Sequence, residues 1–355
     1  MRNPIVPVAK RLAVKWRNAR AASVRMPPRI AFGKSSSAIP RIFYLSPDSV
    51  DARGGVRVIY RHVDVLNSLG LDATVIHRSR GYRAHWFANQ TRVAAARDVV
   101  LLAQDILVVP EMYGSNLHRF APGGPRLVVL NQAPYYTFAG VPLSHVTDLQ
   151  KAPVEAILAV SQDGEQLLRV TFEHTPVHLI RSVVDAEVFH LPRTPAPRRR
   201  IAFITSRRSI ERHALLSTLM ARGRLKGWEF VAIEGMSERA VADTLRGAAI
   251  FVSLSRLEGF GLPSAEAMAC GCYVIGSAGQ GGSEYFDPSY CRLIEENLLA
   301  LVLAVEDAAH AYDSDPAQFG SVGVRASEAI LRRYRTDFLR EDLRTVFGGL
   351  GIQPS

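Results

Sequence analysis

The stretch Glu258-Gly-Phe-Gly-Leu-Pro-Ser-Ala-Glu266 decides how the chain reads. Before it runs Ala249-Ile-Phe-Val-Ser-Leu-Ser255, with the continuous apolar character of a buried parallel strand. After it, Ser264-Ala-Glu-Ala-Met-Ala-Cys270 reads as a short helix closed by Gly271. Pro263 suits the first turn of that helix, where its missing N–H would have no partner anyway. Gly259 and Gly261 let the backbone turn sharply and approach a ligand. The amides near Gly261 and Leu262 then point outward at a helix N-terminus, where an anion is favoured. Glu258 and Glu266 bracket that anion site. Carboxylates repel phosphate, but they accept hydrogen bonds from sugar hydroxyls on either side of it. The pattern fits a nucleotide-diphosphate sugar, with the sugar ring at one end and the ribose at the other.

Moving outward, Arg41 to Ser46 is the first clear strand, and Gly54-Gly55 follows a short polar loop. Val56 to Leu69 has helical spacing and stops at Gly70, and Ala73 to His77 is the next strand. This is a βαβ unit without a G-x-G-x-x-G, which disfavours a dinucleotide oxidoreductase. Further strands, 105–109, 126–130 and 156–160, end at Glu111, Asn131-Gln132 and Ser161. Ligands of doubly wound sheets sit beyond such carboxyl ends. Ser161 also has the form of a helix cap. Tyr135, Tyr136 and Phe138 either stack on sugars or pack in the core. Leu191-Pro-Arg-Thr-Pro-Ala-Pro-Arg-Arg-Arg200 is dense in proline and charge, as a linker is. A second α/β unit opens at Ile201 to Thr205, with Arg207, Arg208 and Arg212 at its carboxyl end. Cations oppose the dipole at a helix start, so these arginines call for a ligand of opposite charge.

Glu258 and Glu266, with seven residues between them inside EGFGLPSAEAMACG, resemble the E-x7-E signature of the family 4 (group 1) retaining glycosyltransferases. The resemblance covers roughly residues 41 to 345 and is most specific in the C-terminal half. It implies an α/β fold of two Rossmann-like, doubly wound domains facing a cleft, the GT-B architecture. It also implies transfer of a hexose or deoxyhexose from a nucleotide-diphosphate sugar to a glycan or lipid-linked acceptor, with retention of configuration.

The resemblance gives these residues roles. Arg207 and Arg212 match the spacing of the family's Arg and Lys on the donor diphosphate, with Arg in place of Lys; Arg208 could instead fill the first place. With Glu258 they form the catalytic set. Gly55, Phe260, Gly261, Leu262 and Glu266 fall on the donor side, Gly54, Glu111, Asn131 and Gln132 on the acceptor side. Many relatives carry a His where this chain has Asn131-Gln132, which removes a His-based acceptor contact. Gly281-Gly-Ser-Glu284 is similar to the family's "GG…E" segment, with Glu284 as a support. The expected organisation is a basic tail (1–39), an acceptor-side domain (40–190), a linker (191–200), a donor-side domain (201–330) and a last helix (331–355) crossing back to the first domain. Family habit points to surface polysaccharide or glycoconjugate assembly.

Composition bounds these readings. With 355 residues, 48% of them hydrophobic, the chain can build two ordinary cores. No apolar run of eighteen residues occurs. Cys270, Cys272 and Cys291 lack C-x-x-C spacing, so a reducing cytosol is the default. Nine basic residues precede position 40 and no acid precedes Asp48, so nearly all of the formal +10 charge sits in the tail. Two readings of it stand: a basic amphipathic helix at the inner face of an anionic membrane, or a disordered leader. Nucleic acid is disfavoured, since no folded basic face accompanies it. No cofactor or metal is expected, because fixed arginines can stabilise a diphosphate leaving group. Asp313-Ser-Asp315 beside Pro316 reads as a turn, not a metal site. A sugar-nucleotide epimerase or phosphorylase on the same fold, or a non-catalytic nucleotide-sugar-binding module, remains as an alternative.

Overall fold

The computed structural model describes residues 26–34, 39–49, 51–120, 123–139, 141–193 and 198–353. The expected basic helix falls mostly on residues 1–25, outside the described residues. The folded body begins earlier than Arg41: Pro27 and Pro28 are buried, and β1 (Ala31–Phe32) pairs in parallel with β5 (Val100–Leu101).

Seven parallel strands make the N-terminal sheet, in the order β4-β3-β2-β6-β7-β8-β9. They are β2 (Ile42–Leu45), β3 (Ala73–His77), β4 (Val93–Ala95), β6 (Ile106–Pro110), β7 (Arg126–Asn131), β8 (Val154–Ala159) and β9 (Val177–Leu179). The strands are apolar on both faces because both faces are covered. In β2, Ile42 and Tyr44 pack towards α1 (Gly54–Ser68), while Phe43 and Leu45 join the opposite core with Leu107 and Tyr113. Gly54-Gly55 is the first turn of α1 itself, not a loop before it. Helix α2 (Gln162–Thr171) starts on Ser161, whose Oγ accepts from Gly164 N at 3.1 Å. Ser161 is thus the cap its sequence context suggests.

The C-terminal sheet has five parallel strands in the order β11-β10-β12-β13-β14. These are β10 (Arg200–Ile204), β11 (Glu229–Ile233), β12 (Ile250–Glu258), β13 (Tyr273–Gln280) and β14 (Cys291–Leu293). Helices α3 (Ser209–Arg222), α4 (Glu238–Arg246) and α5 (Leu262–Ala269) alternate with them. Three helices close the chain: α6 (Leu298–Ser314), α7 (Pro316–Arg333) and α8 (Thr336–Gly349). The break is physical: Tyr334 and Arg335 leave the helical region, and Val184 N bonds Tyr334 O at 3.0 Å, so the first domain takes the carbonyl there. Helix α8 lies against α1 and buries Leu339, Leu343, Val346 and Phe347. Arg181 Nε, at the end of the first domain, donates to Asp342 Oδ2 at 2.8 Å. Asp313 pairs with Arg199 at 2.7 Å and Asp315 caps α7 through Gln318 N, so both act in a turn. No described helix is long and apolar enough to cross a membrane.

Candidate active site

The carboxyl end of β12 is distorted before it reaches its first carboxylate. Its register with β13 shifts between Ser255 and Glu258, and Leu257 takes a φ of 51°. Four described non-glycine residues have positive φ: Arg208, Leu257, Gln280 and Glu296. All four meet on this wall. Gln280 pairs with Glu258 across the strands, and Glu296 Oε1 lies 3.4 Å from Arg208 Nη2. Such conformations cost about 1–3 kcal/mol each and persist only where surrounding structure holds them, commonly at functional sites.

Glu258, buried except for an edge, lies 2.8 Å from Arg207 Nη1. The contact is out of line for a hydrogen bond, and Glu258 Oε1 is buried without one. Burial raises the Glu258 pKa, and Arg207 opposes the rise. Arg212 reaches back from the first turn of α3 and donates to Arg207 O at 3.3 Å. Arg208 is mostly buried, and its Nε also has no hydrogen-bond partner. The three sequence-predicted arginines and Glu258 therefore form one cluster, with two buried polar atoms unsatisfied, at a cost of about 1–3 kcal/mol each.

Beyond Glu258 the chain turns on Gly261 (φ 84°) into α5. The Ser264 amide bonds Gly261 O, and the Gly261 and Leu262 amides have no described protein acceptor. Tyr285 OH donates to Gly261 O at 2.7 Å and braces the turn from behind. Phe260 does not face the site: its ring is buried against Tyr285 and Tyr334, with centroids 5.2 and 4.8 Å away. It can serve a donor only through its backbone, because apolar packing claims the side chain.

The N-terminal wall stands directly opposite. A β-carbon on Gly259 would fall 1.7 Å from Gln132 O, so glycine lets the two domains touch backbone to backbone. Gln132 Nε2 donates to Gly55 O at 3.1 Å, and Leu262 packs on Gly54. Gln132 N donates to Glu111 Oε2 at 3.2 Å. Burial pushes the Glu111 carboxyl up to about 7, opposed by that amide. Asn131 is not available to an acceptor. It is buried, with Nδ2 on Thr137 Oγ1 at 2.7 Å, and steadies the following loop. Of the three aromatics, Phe138 stacks on Phe172 and Tyr135 bonds Asp163, which leaves Tyr136 exposed.

Glu266 is buried and paired, but its partner comes from the first domain. Arg57 Nη2 bonds Glu266 Oε1, and Arg57 Nη1 bonds Glu238 Oε1 at 2.5 Å. Sequence reading passed over Arg57, although its signal is the one that exposed Arg207. It is a cation near a helix start, with no acid in that first turn to compensate it. Glu284 supports the site as expected: Oε2 accepts from Gln162 N and Oε1 from Tyr334 OH, each at 2.8 Å. Among the described residues no group of three or more His, Cys, Asp and Glu could hold a metal ion.

Comparison with known proteins finds related sequences and folds. Residues 221–312 match the family model "Glycosyl transferases group 1". An α-1,6-glucosyltransferase of Actinobacillus pleuropneumoniae serotype 7 is 26% identical, over 84% of this chain and 91% of its own. In fold, the chain is similar to a sucrose-phosphate synthase from Thermosynechococcus elongatus (TM-score 0.64, 14% identity, 88% of this chain and 99% of that one). It is also similar to Anabaena HepE, solved with UDP-glucose (TM-score 0.62, 12% identity, 87% and 99%). Two parallel α/β sheets face each other across the Glu258 cluster, and the family model covers the approach to it. The chain has the GT-B fold, and its residues 221–312 are similar to the group 1 glycosyltransferases.

Proposed function

We propose that the protein transfers a sugar from a nucleotide-diphosphate donor to a glycan or lipid-linked acceptor with retention of configuration. The observation that carries this reading is the cluster of Glu258, Arg207, Arg208 and Arg212 beside the Gly261 and Leu262 amides, with Glu258 Oε1 and Arg208 Nε buried and unsatisfied. These are one acceptor and one donor of hydrogen bonds. A sugar hydroxyl can supply the first partner and a diphosphate oxygen the second.

Bond changes follow from that placement. The bond between the sugar's anomeric carbon and the β-phosphate oxygen breaks. A bond to the acceptor hydroxyl oxygen forms on the same face, and the hydroxyl proton leaves with the nucleoside diphosphate. Negative charge grows on the diphosphate as the bond opens. Arg207, Arg212 and the two amides are fixed in advance to meet it, which is the source of electrostatic catalysis. A cationic wall of this kind allows turnover without a metal. Glu258 orients the transferred sugar and Glu266 takes the ribose. Similarity to HepE, whose crystals hold UDP-glucose, favours a uridine nucleotide as the first donor to test.

The setting is surface polysaccharide or glycoconjugate assembly in the cytoplasm, with the basic residues before position 26 docking the enzyme on an anionic membrane. Each such charge near the surface contributes about 1 kcal/mol. The test is a thermal-shift screen of sugar nucleotides, where a true donor raises the melting point. NMR assignment of the product anomer, with chelator present, follows. An inverted product, or activity that needs added manganese, would overturn the corresponding part. Loss of vesicle binding on deleting residues 1–25 is the parallel expectation for the tail.

A further inference from the structure

Arg57 is the feature that the transfer chemistry above leaves unused. It lies in the first turn of α1, in the acceptor-side domain, yet both of its carboxylate partners belong to the donor-side domain. All three side chains are buried, with relative exposures of 11% for Arg57, 9% for Glu238 and 7% for Glu266. Burial works against the Arg57 charge, but Glu266 and Glu238 together raise its pKa, so it stays a cation. Burial raises the Glu266 pKa, with Arg57 opposing the rise. One guanidinium thus serves two buried acids, and removing it would leave both uncompensated in a dry site.

The surrounding contacts make this a joint between domains. Glu238 N donates to Trp86 O at 2.9 Å, so the first domain holds Glu238 by its backbone as well as its carboxylate. Arg246, at the end of the same helix α4, donates to Val188 O at 2.6 Å. The Arg57 guanidinium lies 5.6 Å from the Phe189 ring centroid, which fixes its plane from the other side. Arg57 bonds Oε1 of Glu266, while Oε2 carries no protein hydrogen bond among the described residues.

We infer that Arg57 is a positioning residue for the donor. It turns Glu266 so that Oε2 can accept a ribose hydroxyl, and it makes that readiness depend on the two domains being closed. The inference rests on the reading of Glu266 as the ribose partner. Closure and nucleotide binding then favour each other, as linkage requires. Closing the cleft completes the carboxylate's environment, and a bound nucleotide favours the closed state.

The experiment uses full-length protein with Arg57→Gln, Arg57→Lys and the double variant Arg57→Gln/Glu238→Gln. X-ray scattering of ligand-free protein reads the closure, and calorimetry with UDP reads the nucleotide. Arg57→Gln should increase the radius of gyration and weaken UDP about tenfold or more. Arg57→Lys should recover part of both, as a point charge without the planar fork. The double variant should regain UDP affinity relative to Arg57→Gln, because one uncompensated carboxylate has been removed. A residue that only packs α1 would show lower thermal stability, no rescue by the double variant and unchanged UDP affinity, which overturns the inference. An unchanged radius together with unchanged UDP affinity overturns it equally. Failure of the donor reading looks different: wild type would bind no UDP, while Arg57→Gln still expands. The joint between domains would then stand, and its role in nucleotide binding would fall.

Discussion

On the C-terminal wall of the cleft, Glu258 Oε1 and Arg208 Nε are buried without hydrogen bonds, and four strained non-glycine residues gather beside them. On the N-terminal wall, Gln132 is satisfied through its amide and its side chain, and the buried polar atoms left over in that domain, among the described residues, are Asn131 Oδ1 and Trp86 Nε1. One wall stores unmet polar demand and backbone strain, as a surface built for a ligand does. The other is locked into protein–protein hydrogen bonds. The comparison teaches that the C-terminal wall, the donor side in the proposed reading, is pre-organised for charge, whereas the N-terminal wall is set by shape and by its fit to the opposite domain.

The hardest test of that contrast is where the walls touch. Gly259→Ala places a methyl where Gln132 O already stands. Gly259 is not in the left-handed region, so the alanine strains only the meeting of the domains. Displacements of an ångström can cost about 100-fold in rate. We expect kcat/KM to fall by about that factor or more, with both domains still folded by circular dichroism. Gly320→Ala, on the open face of α7, is the control and should be neutral or slightly stabilising. Near-normal turnover in Gly259→Ala would mean that the walls do not touch in the working enzyme.

The next test separates two members of the charged wall. Glu258→Gln keeps shape and, in the proposed reading, removes a charge beside the transferred sugar. It should lower kcat by about 100-fold while nucleotide binding stays near normal. Arg212→Ala should weaken UDP by about tenfold and lower kcat too, because in the proposed reading its charge meets the diphosphate in ground and transition states alike. Steady-state kinetics and calorimetry on the two variants decide it. Equal, mild losses in both would argue that this wall is not the donor side.

The difference between the walls also explains what could be read from the residues alone. Gly259, Gly261, Pro263 and the two carboxylates express local demands of a strand, a turn and a helix start, and local demands are written in sequence. Arg207 and Arg212 were legible because a cation at a helix start is locally wrong and so implies a ligand. Arg57 carried the same signal, but its partners Glu238 and Glu266 lie far along the chain, and only the fold brings them near. Phe260 misled for the opposite reason. It sits inside the motif, yet its ring is buried against Tyr285 and Tyr334, a packing choice that no local pattern records. Asn131 ends its strand at the cleft as expected, but Thr137, six residues on, draws its side chain inward. The break at Tyr334 was hidden because residues 324–346 keep helical periodicity through it. What interrupts them is a backbone hydrogen bond from Val184 in the other domain.

The smallest effect expected concerns Glu111, whose carboxyl accepts from the Gln132 amide. Burial raises Glu111 from an ordinary 4.5 to about 7. A folded-state pKa above the unfolded one means the native protein holds a proton that the unfolded chain releases. Below about pH 4.5 the carboxyl is neutral in both states and costs nothing. Between 4.5 and 7 the unfolded chain ionises first and folding loses ground; above 7 the loss is complete. Glu111→Gln removes the ionisation and keeps an acceptor for the Gln132 amide. It should therefore raise stability at pH 8 by on the order of 2 kcal/mol, a figure reduced because the carboxyl is partly open to solvent. In a protein of this size that is a melting-point rise of a few degrees, about 1–2 °C per kcal/mol. By pH 5 the difference should have nearly vanished. Thermal melts of wild type and variant at pH 5 and pH 8 measure it. An equal shift at both pH values would mean that Glu111 does not titrate in this range and that the amide of Gln132 alone sets its behaviour. A shift confined to pH 8 would show that Glu111 titrates on the N-terminal wall, opposite the Glu258 cluster.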